Sequence, residues 1–216
     1  MKMPYDLYVV TDEKIKKGVT HQQIAKMAVS GGADVIQLRD KGMTGKELFV
    51  TACEIREITR SAGALFIVND RIDIALASGA DGVHLGQDDL PLFEARKLAP
   101  DNFIIGISVG SIAEAVSAAA GRADYVAVSP VFGTGTKPDA GPGHDTAIIT
   151  AIREKISIPV IGIGGIQKEN VRDVILSGAD GIAVISAVIG SDDLVMAALE
   201  LKSLVVYFKQ IRQSID

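Results

Sequence analysis

SGADGIAVIS, residues 177–186, decides the fold. It sets a small-residue turn, an Ala-Asp pair and an apolar run in one short stretch. The run does not alternate with polar residues, which marks a strand covered on both faces, as in a parallel sheet. The same order recurs in SGGADVIQL (30–38), SGADGVHLG (78–86) and RADYVAVSP (122–130). Each time a helical segment ends, a glycine or small residue turns the chain, Ala-Asp follows and a strand begins. Asp34, Asp81, Asp124 and Asp180 thus precede the second, fourth, sixth and eighth strands. At strand starts they are expected to cap or bridge turns rather than to catalyse.

Working outward, further runs fill the gaps between the repeats: LYVV (7–10), LFIV (65–68), FIIGIS (103–108) and PVIGI (159–163). With VIQL (35–38), GVHL (82–85), YVAV (125–128) and GIAVI (181–185) they make eight strands. Helical segments alternate with them. THQQIAKMAVS (20–30) opens on a Thr20 N-cap, TGKELFVTACEIREITRS (44–61) is amphipathic, and QKENVRDVILS (167–177) also reads as a helix. Eight units in 216 residues give roughly 27 residues each, which fits an α/β fold of the (β/α)8 TIM-barrel type filling residues 1–216 as one domain. A doubly wound open sheet alternates in the same way and stays open at this point.

Apolar residues make up 48% and charged residues 23% of the chain, a globular balance. The net charge is −5 and no Lys/Arg cluster occurs, which argues against a nucleic-acid partner. Cations for a phosphorylated ligand would have to be gathered locally. Cys53 is the single cysteine, so no internal disulfide forms, in keeping with a cytoplasmic location. The run after Asp6 is too short for a signal peptide, and Gly181–Gly190 is about half a membrane span. No membrane partner is expected, and a homo-oligomer is compatible with the sequence.

A barrel carries its chemistry where its strands end. The second strand ends in Gln37-Leu38-Arg39-Asp40-Lys41, and alternation puts Gln37, Arg39 and Lys41 on one side. Two cations and an amide there suit phosphate oxygens, although a solvated charged turn would read the same. The third strand ends in Asn69-Asp70-Arg71, the fourth in His84-Leu85-Gly86-Gln87-Asp88-Asp89. Asp70 and Asp89 hang from adjacent strands and could share Mg²⁺, which takes one or two carboxylates plus phosphate oxygens and water. Asp89 could equally N-cap a helix with Pro91 in its first turn. His84 is expected to be a satisfied wall residue. Ser108 is either a ligand-facing hydroxyl or part of a helix-capping turn. Gly164-Gly165 and Ile185-Ser186, after strands seven and eight, could approach a phosphate with backbone N–H groups, or simply pack a barrel corner. GIGGI lacks the third glycine of a dinucleotide fingerprint. No strand run contains a lysine for Schiff-base chemistry.

One connection is long. SPVFGTGTKPDAGPGHD (129–145) holds four glycines and three prolines and offers Thr134, Thr136 and Lys137 as donors. After strand six it would sit at the functional end as a lid that excludes water. Asp145 is the expected cap of the following helix.

QLRDK (37–41), VNDR (68–71), DGVHLGQDDL (81–90), PVFGTGTK (130–137), IGIGGI (161–166) and GIAVIS (181–186), in that order, resemble the thiamine-phosphate synthase family across nearly the whole chain. The resemblance implies a transferase that joins an aminopyrimidine diphosphate to a hydroxyethylthiazole phosphate, needs Mg²⁺ and releases pyrophosphate. It implies Asp70 and Asp89 as metal ligands, and Arg39, Lys41, Asn69 and Lys137 on the diphosphate. Gln37 would contact the pyrimidine, and Ser108 would lie near the reacting groups. Thr134 and Thr136 would meet the thiazole phosphate ligand, with Gly165, Ile185 and Ser186 around its phosphate. Lys137, Ser108, Arg39 and Lys41 would be the catalytic set. Gly133 departs from a proline common in the family. A related thiazole tautomerase is disfavoured by Ser129-Pro130 and the intact Asn69-Asp70-Arg71. A non-catalytic thiamine or phosphate binder would have no obvious need for both carboxylates.

Overall fold

A computed structural model describes residues 5–133 and 143–215. The apolar runs lie side by side as parallel strands: β1 (Leu7–Thr11), β2 (Val35–Leu38), β3 (Leu65–Asn69), β4 (Gly82–Leu85), β5 (Ile104–Val109), β6 (Tyr125–Val128), β7 (Val160–Ile163) and β8 (Gly181–Val184). They follow chain order around a closed barrel, with β8 pairing back onto β1. Closure removes the open-sheet alternative. Each strand lies within one residue of its expectation from sequence.

The helices are α1 (His21–Ser30), α2 (Gly45–Ala62), α3 (Ile72–Ser78), α4 (Leu92–Leu98), α5 (Ile112–Ala120), α6 (Ala147–Arg153), α7 (Val171–Leu176), α8 (Ser186–Ile189) and α9 (Leu194–Ile215). Thr20 and Thr44 cap α1 and α2 through reciprocal boxes with Gln23 and Glu47. Three expectations about helix starts are corrected. Asn170 accepts the N–H of Gln167 at 2.9 Å, and the resulting turn delays α7 to Val171. Pro91, not Asp89, occupies the cap of α4; Asp89 instead accepts the N–H of Gly86 at 2.6 Å, tightening the turn after β4. Thr146, not Asp145, occupies the cap of α6 and makes no side-chain cap bond. Among the described residues no helix is long and apolar enough to cross a membrane.

Strands buried on both faces produce two cores. Inward residues, among them Tyr8, Val10, Val35, Ile67, Tyr125 and Ile161, fill the barrel. Outward residues such as Leu7, Val9, Ile36, Phe66 and Ile105 pack against the helices. This is why the runs do not alternate in polarity.

The four aspartates of the repeat bind the floor of the barrel together. Asp34, Asp81, Asp124 and Asp180 each accept the N–H of Leu7, Phe66, Ile105 and Val160 on the preceding strand, at 2.7–2.9 Å. Each also returns its own N–H to the same residue's carbonyl. A helix cation completes each strut: Lys202, Arg56, Arg96 and Arg153 respectively. Lys202 and Lys209 of α9 also hold Asp6. Burial would raise that carboxyl, but the two ammonium hydrogen bonds outweigh it and keep it below its ordinary value. The expected structural role of the four aspartates is thus what the geometry shows.

Candidate active site

The opposite end of the barrel is polar. A narrow inner cavity with about 20 Å³ of free space runs between the strands and is lined by Gln37, Arg39, Asn69, His84, Ser108 and Ile185, with Tyr8 and Tyr125 at its base. An outer cleft of about 340 Å³ continues from it, lined by Lys41, Asp70, Gln87, Asp88, Asp89, Glu114 and Ser129. Arg39, Asn69, His84 and Ser108 border both.

The β2 end positions the cations. Asp40 accepts the N–H groups of Gly42 and Met43 at 2.6 and 2.9 Å. His21, fully buried, stands 3.3 Å from its other oxygen. Burial pushes the Asp40 carboxyl up, yet these hydrogen bonds prevail and hold it below its ordinary value. The intervening aspartate is therefore the anchor of a turn that leaves Arg39 and Lys41 facing the cleft. Gln37 and Arg39 reach the inner cavity together, as alternation predicts. Arg39 stands 3.5 Å from Asp12, and its Nε is buried with no hydrogen-bond partner among the described residues. A buried cation short of one acceptor is suited to an anion arriving from outside.

The β3 and β4 ends supply the carboxylates. Asp70 has a positive φ of 61°, held by its N–H bond to the His84 carbonyl at 2.8 Å. A non-glycine residue in this region is strained, and such strain concentrates at functional sites. Asp70 and Asp89 border the same cleft, and one Asp89 oxygen is taken by Gly86. No group of three His, Cys, Asp or Glu side chains among the described residues is placed to hold a metal. This donor set does not suit zinc, but it fits Mg²⁺, which completes its shell with substrate oxygens and water.

Ser108 and His84 join in a hydrogen-bonded chain. Ser108 Oγ lies 2.8 Å from His84 Nε2, and His84 Nδ1 lies 2.9 Å from the Tyr125 hydroxyl. The Tyr125 hydroxyl is 2.9 Å from that of Tyr8, which accepts from Gln37 Nε2 at 2.6 Å. His84 is thus the satisfied wall residue expected. Ser111, not Ser108, caps α5, so the open question about Ser108 resolves toward the cavity. Tyr8 and Tyr125 were not foreseen from the sequence. Tyr125 opens β6, where polar groups are otherwise structural, but its long side chain reaches the site. The signal was Gly106, a glycine inside a strand, which marks close approach. His84, Gly106 and Tyr125 are in register on β4, β5 and β6. A Cβ on Gly106 would overlap the Tyr125 ring. Across that gap the rings of His84 and Tyr125 stack at 5.6 Å.

The β7 and β8 ends carry Gly164-Gly165 and Ile185-Ser186. Gly164 and Gly165 have φ of 101° and 62°. Val131 and Phe132 donate to the carbonyls of Ile163 and Gly164 at 2.8 and 3.1 Å, so the chain leaving β6 runs beside this corner. A Cβ on Gly165 would come 2.7 Å from the Gly133 carbonyl, which requires glycine there for packing as well. Gly143 returns so close that a Cβ on it would lie 2.7 Å from Gly133 N. The His144 N–H bonds to the carbonyls of Pro130 and Val131, and the Asp145 N–H to that of Val131. Gly143, His144 and Asp145 thus close the neck of the long connection. Thr134, Thr136 and Lys137 lie outside the described residues. Ile185 lines the inner cavity, and Ser186 begins α8.

Fold and mouth together define an enzyme of the (β/α)8-barrel class with cations and carboxylates at its open end. The family model described as thiamine monophosphate synthase matches residues 7–188. The chain is 60% identical over 200 residues to a thiamine-phosphate synthase of Methanoculleus marisnigri, covering 93% of this chain and 95% of that one. It is 56% identical to that of Methanospirillum hungatei, over 95% of this chain and all of the relative. A solved thiamine phosphate pyrophosphorylase from Pyrococcus furiosus superposes with a TM-score of 0.88 at 42% identity, over 95% of this chain and 98% of that one. The chain belongs to the thiamine monophosphate synthase family, and is a transferase.

Proposed function

We propose that this chain joins 4-amino-2-methyl-5-hydroxymethylpyrimidine diphosphate to hydroxyethylthiazole phosphate, giving thiamine monophosphate and pyrophosphate. The observation that carries the reading is the convergence of Gln37, Arg39, Lys41, Asn69, Asp70, Asp89 and Ser108 on one mouth, with no cysteine in its described lining. Such a set aligns ligands and neutralises a leaving group.

In this reading the C–O bond between the pyrimidine methylene and the diphosphate breaks, and its electron pair leaves with pyrophosphate. The thiazole nitrogen then donates its lone pair to the methylene carbon. Arg39, Lys41, Asn69 and Lys137 bind the departing diphosphate, with Arg39 Nε, which has no partner among the described residues, available to one of its oxygens. Gln37 orients the pyrimidine and Ser108 lies near the reacting groups. Thr134 and Thr136 contact the thiazole ligand, and Gly165, Ile185 and Ser186 its phosphate. Asp70 and Asp89 would hold Mg²⁺, which supplies further charge neutralisation to the leaving group. The inner cavity, deep and partly apolar, limits water access to a cationic intermediate.

The test is pyrophosphate release. Wild type should release pyrophosphate with Mg²⁺ only when both substrates are present, and Lys137→Ala should lose at least tenfold in kcat/KM for the diphosphate. No release from the wild type would overturn the activity, and an unchanged kcat/KM in the variant would remove Lys137 from it.

A further inference from the structure

The chain Gln37–Tyr8–Tyr125–His84–Ser108 has a direction. Gln37 Nε2 donates to the Tyr8 hydroxyl. A phenol has one proton, and the arrangement that gives each proton an acceptor among the described neighbours sends that of Tyr8 to Tyr125 and that of Tyr125 to His84 Nδ1. His84 then carries its proton on Nε2 and donates to Ser108 Oγ. Two ends remain free among the described residues. Gln37 presents its amide oxygen as an acceptor, and Ser108 its hydroxyl as a donor, both in the lining of the inner cavity.

Several features hold this order in place. Tyr8 and Tyr125 are almost wholly buried, at 1% and 0% exposure, so bulk solvent does not compete for their hydroxyls. Burial raises both phenols well above their ordinary value, so each remains a neutral hydroxyl. Tyr5 packs against Tyr125 at 5.2 Å between centroids, and Gly106 leaves the space the ring occupies. The side chain of Tyr125 is thereby fixed from three sides, counting the His84 stack.

We propose that Tyr8, Tyr125 and His84 are positioning residues that fix the hydrogen-bond polarity of the cavity, an acceptor at Gln37 and a donor at Ser108, and so select a ligand ring that carries both an exocyclic amine and an unprotonated ring nitrogen. An aminopyrimidine is such a ring: the amine donates to Gln37 and a ring nitrogen accepts from Ser108. The proposal rests on the function argued above for its choice of substrate, but its central claim concerns the protein alone. Tyr8, Tyr125 and His84 also line the cavity, and the polarity they fix reaches the ligand through Gln37 and Ser108.

The first measurement needs no substrate. ¹⁵N spectra of histidine-labelled protein report ring tautomers, and the His84 signal is assigned from its loss in His84→Asn. A neutral Nε2–H tautomer is expected at pH 8, and an Nδ1–H tautomer would overturn the proposed polarity. The second is Tyr125→Phe, with Tyr8→Phe as the milder break. In either folded variant the KM for the aminopyrimidine diphosphate should rise roughly tenfold, the loss of one well-made hydrogen bond at a ligand. The KM for the thiazole phosphate should not move. In Tyr125→Phe the His84 signal should become a mixture of tautomers. Unchanged KM and unchanged tautomer in a folded variant would overturn the positioning role. If the wild type makes no thiamine phosphate but shows the Nε2–H tautomer that Tyr125→Phe scrambles, the function fails and the polarity stands.

Discussion

Asp89 shows how one side chain can be read two ways. Its position before Leu90-Pro91 suggests a helix cap, yet its carboxylate turns back to the Gly86 N–H. That bond uses one oxygen and leaves the other for the cleft. Asp89→Asn separates the two roles, since the amide oxygen still accepts from Gly86 while the charge is gone. The fold should be unaffected, with Tm within a few degrees of wild type. Activity at low Mg²⁺ should fall roughly a hundredfold, as expected when a charged ligand to a hard cation is neutralised. A steady-state titration with Mg²⁺ checks this: wild-type activity at limiting metal would remove Asp89 from the metal site. Asp40 carries the complementary lesson. It sits between two cations, and it serves them by anchoring their turn. The local sequence QLRDK was legible as a cationic strand end, but the division of labour within it was not, because that depends on buried His21 from a distant helix.

At the scale of strands and helices, legibility followed burial. The eight runs were found within a residue because a strand covered on both faces is apolar throughout. Helix starts were less secure wherever a side chain made a local turn first, as at Asn170. The base of the site was missed for a different reason. Sorting polar residues by strand end discards Tyr125 at the start of β6, and only the glycine opposite it in β5 points to a ring crossing the gap. Gly106→Ala should therefore do more than lower strand entropy. A methyl there overlaps the Tyr125 ring, so overpacking should cost about 1–3 kcal/mol in urea unfolding. A stability equal to wild type would mean that the ring moves freely, contrary to the packing described.

For the whole molecule, the repeat that announced the fold also wires its floor. The sequence placed Asp34, Asp81, Asp124 and Asp180 correctly at turns, but it could not show that each takes its cation from a helix remote in sequence, Lys202 being the extreme case. Only the Lys202 strut depends on barrel closure, since α9 follows β8; the other three cations lie on helices one unit before their aspartates. The struts couple β1 to β2, β3 to β4, β5 to β6 and β7 to β8, and none couples β2 to β3 or β4 to β5 in this way. The floor therefore has parity: eight strands above, four bonded pairs below. Places to open the backbone are consequently unequal even when they look alike. A circular permutant with new ends between Asp101 and Asn102, at a boundary between pairs, should keep a Tm near that of the parent. One opened between Arg122 and Ala123, inside the β5–β6 pair beside Asp124, should melt several degrees lower. With the same linker joining the original ends, thermal melts of the two chains compare them directly. Equal melting would show that the ring tolerates odd and even cuts alike.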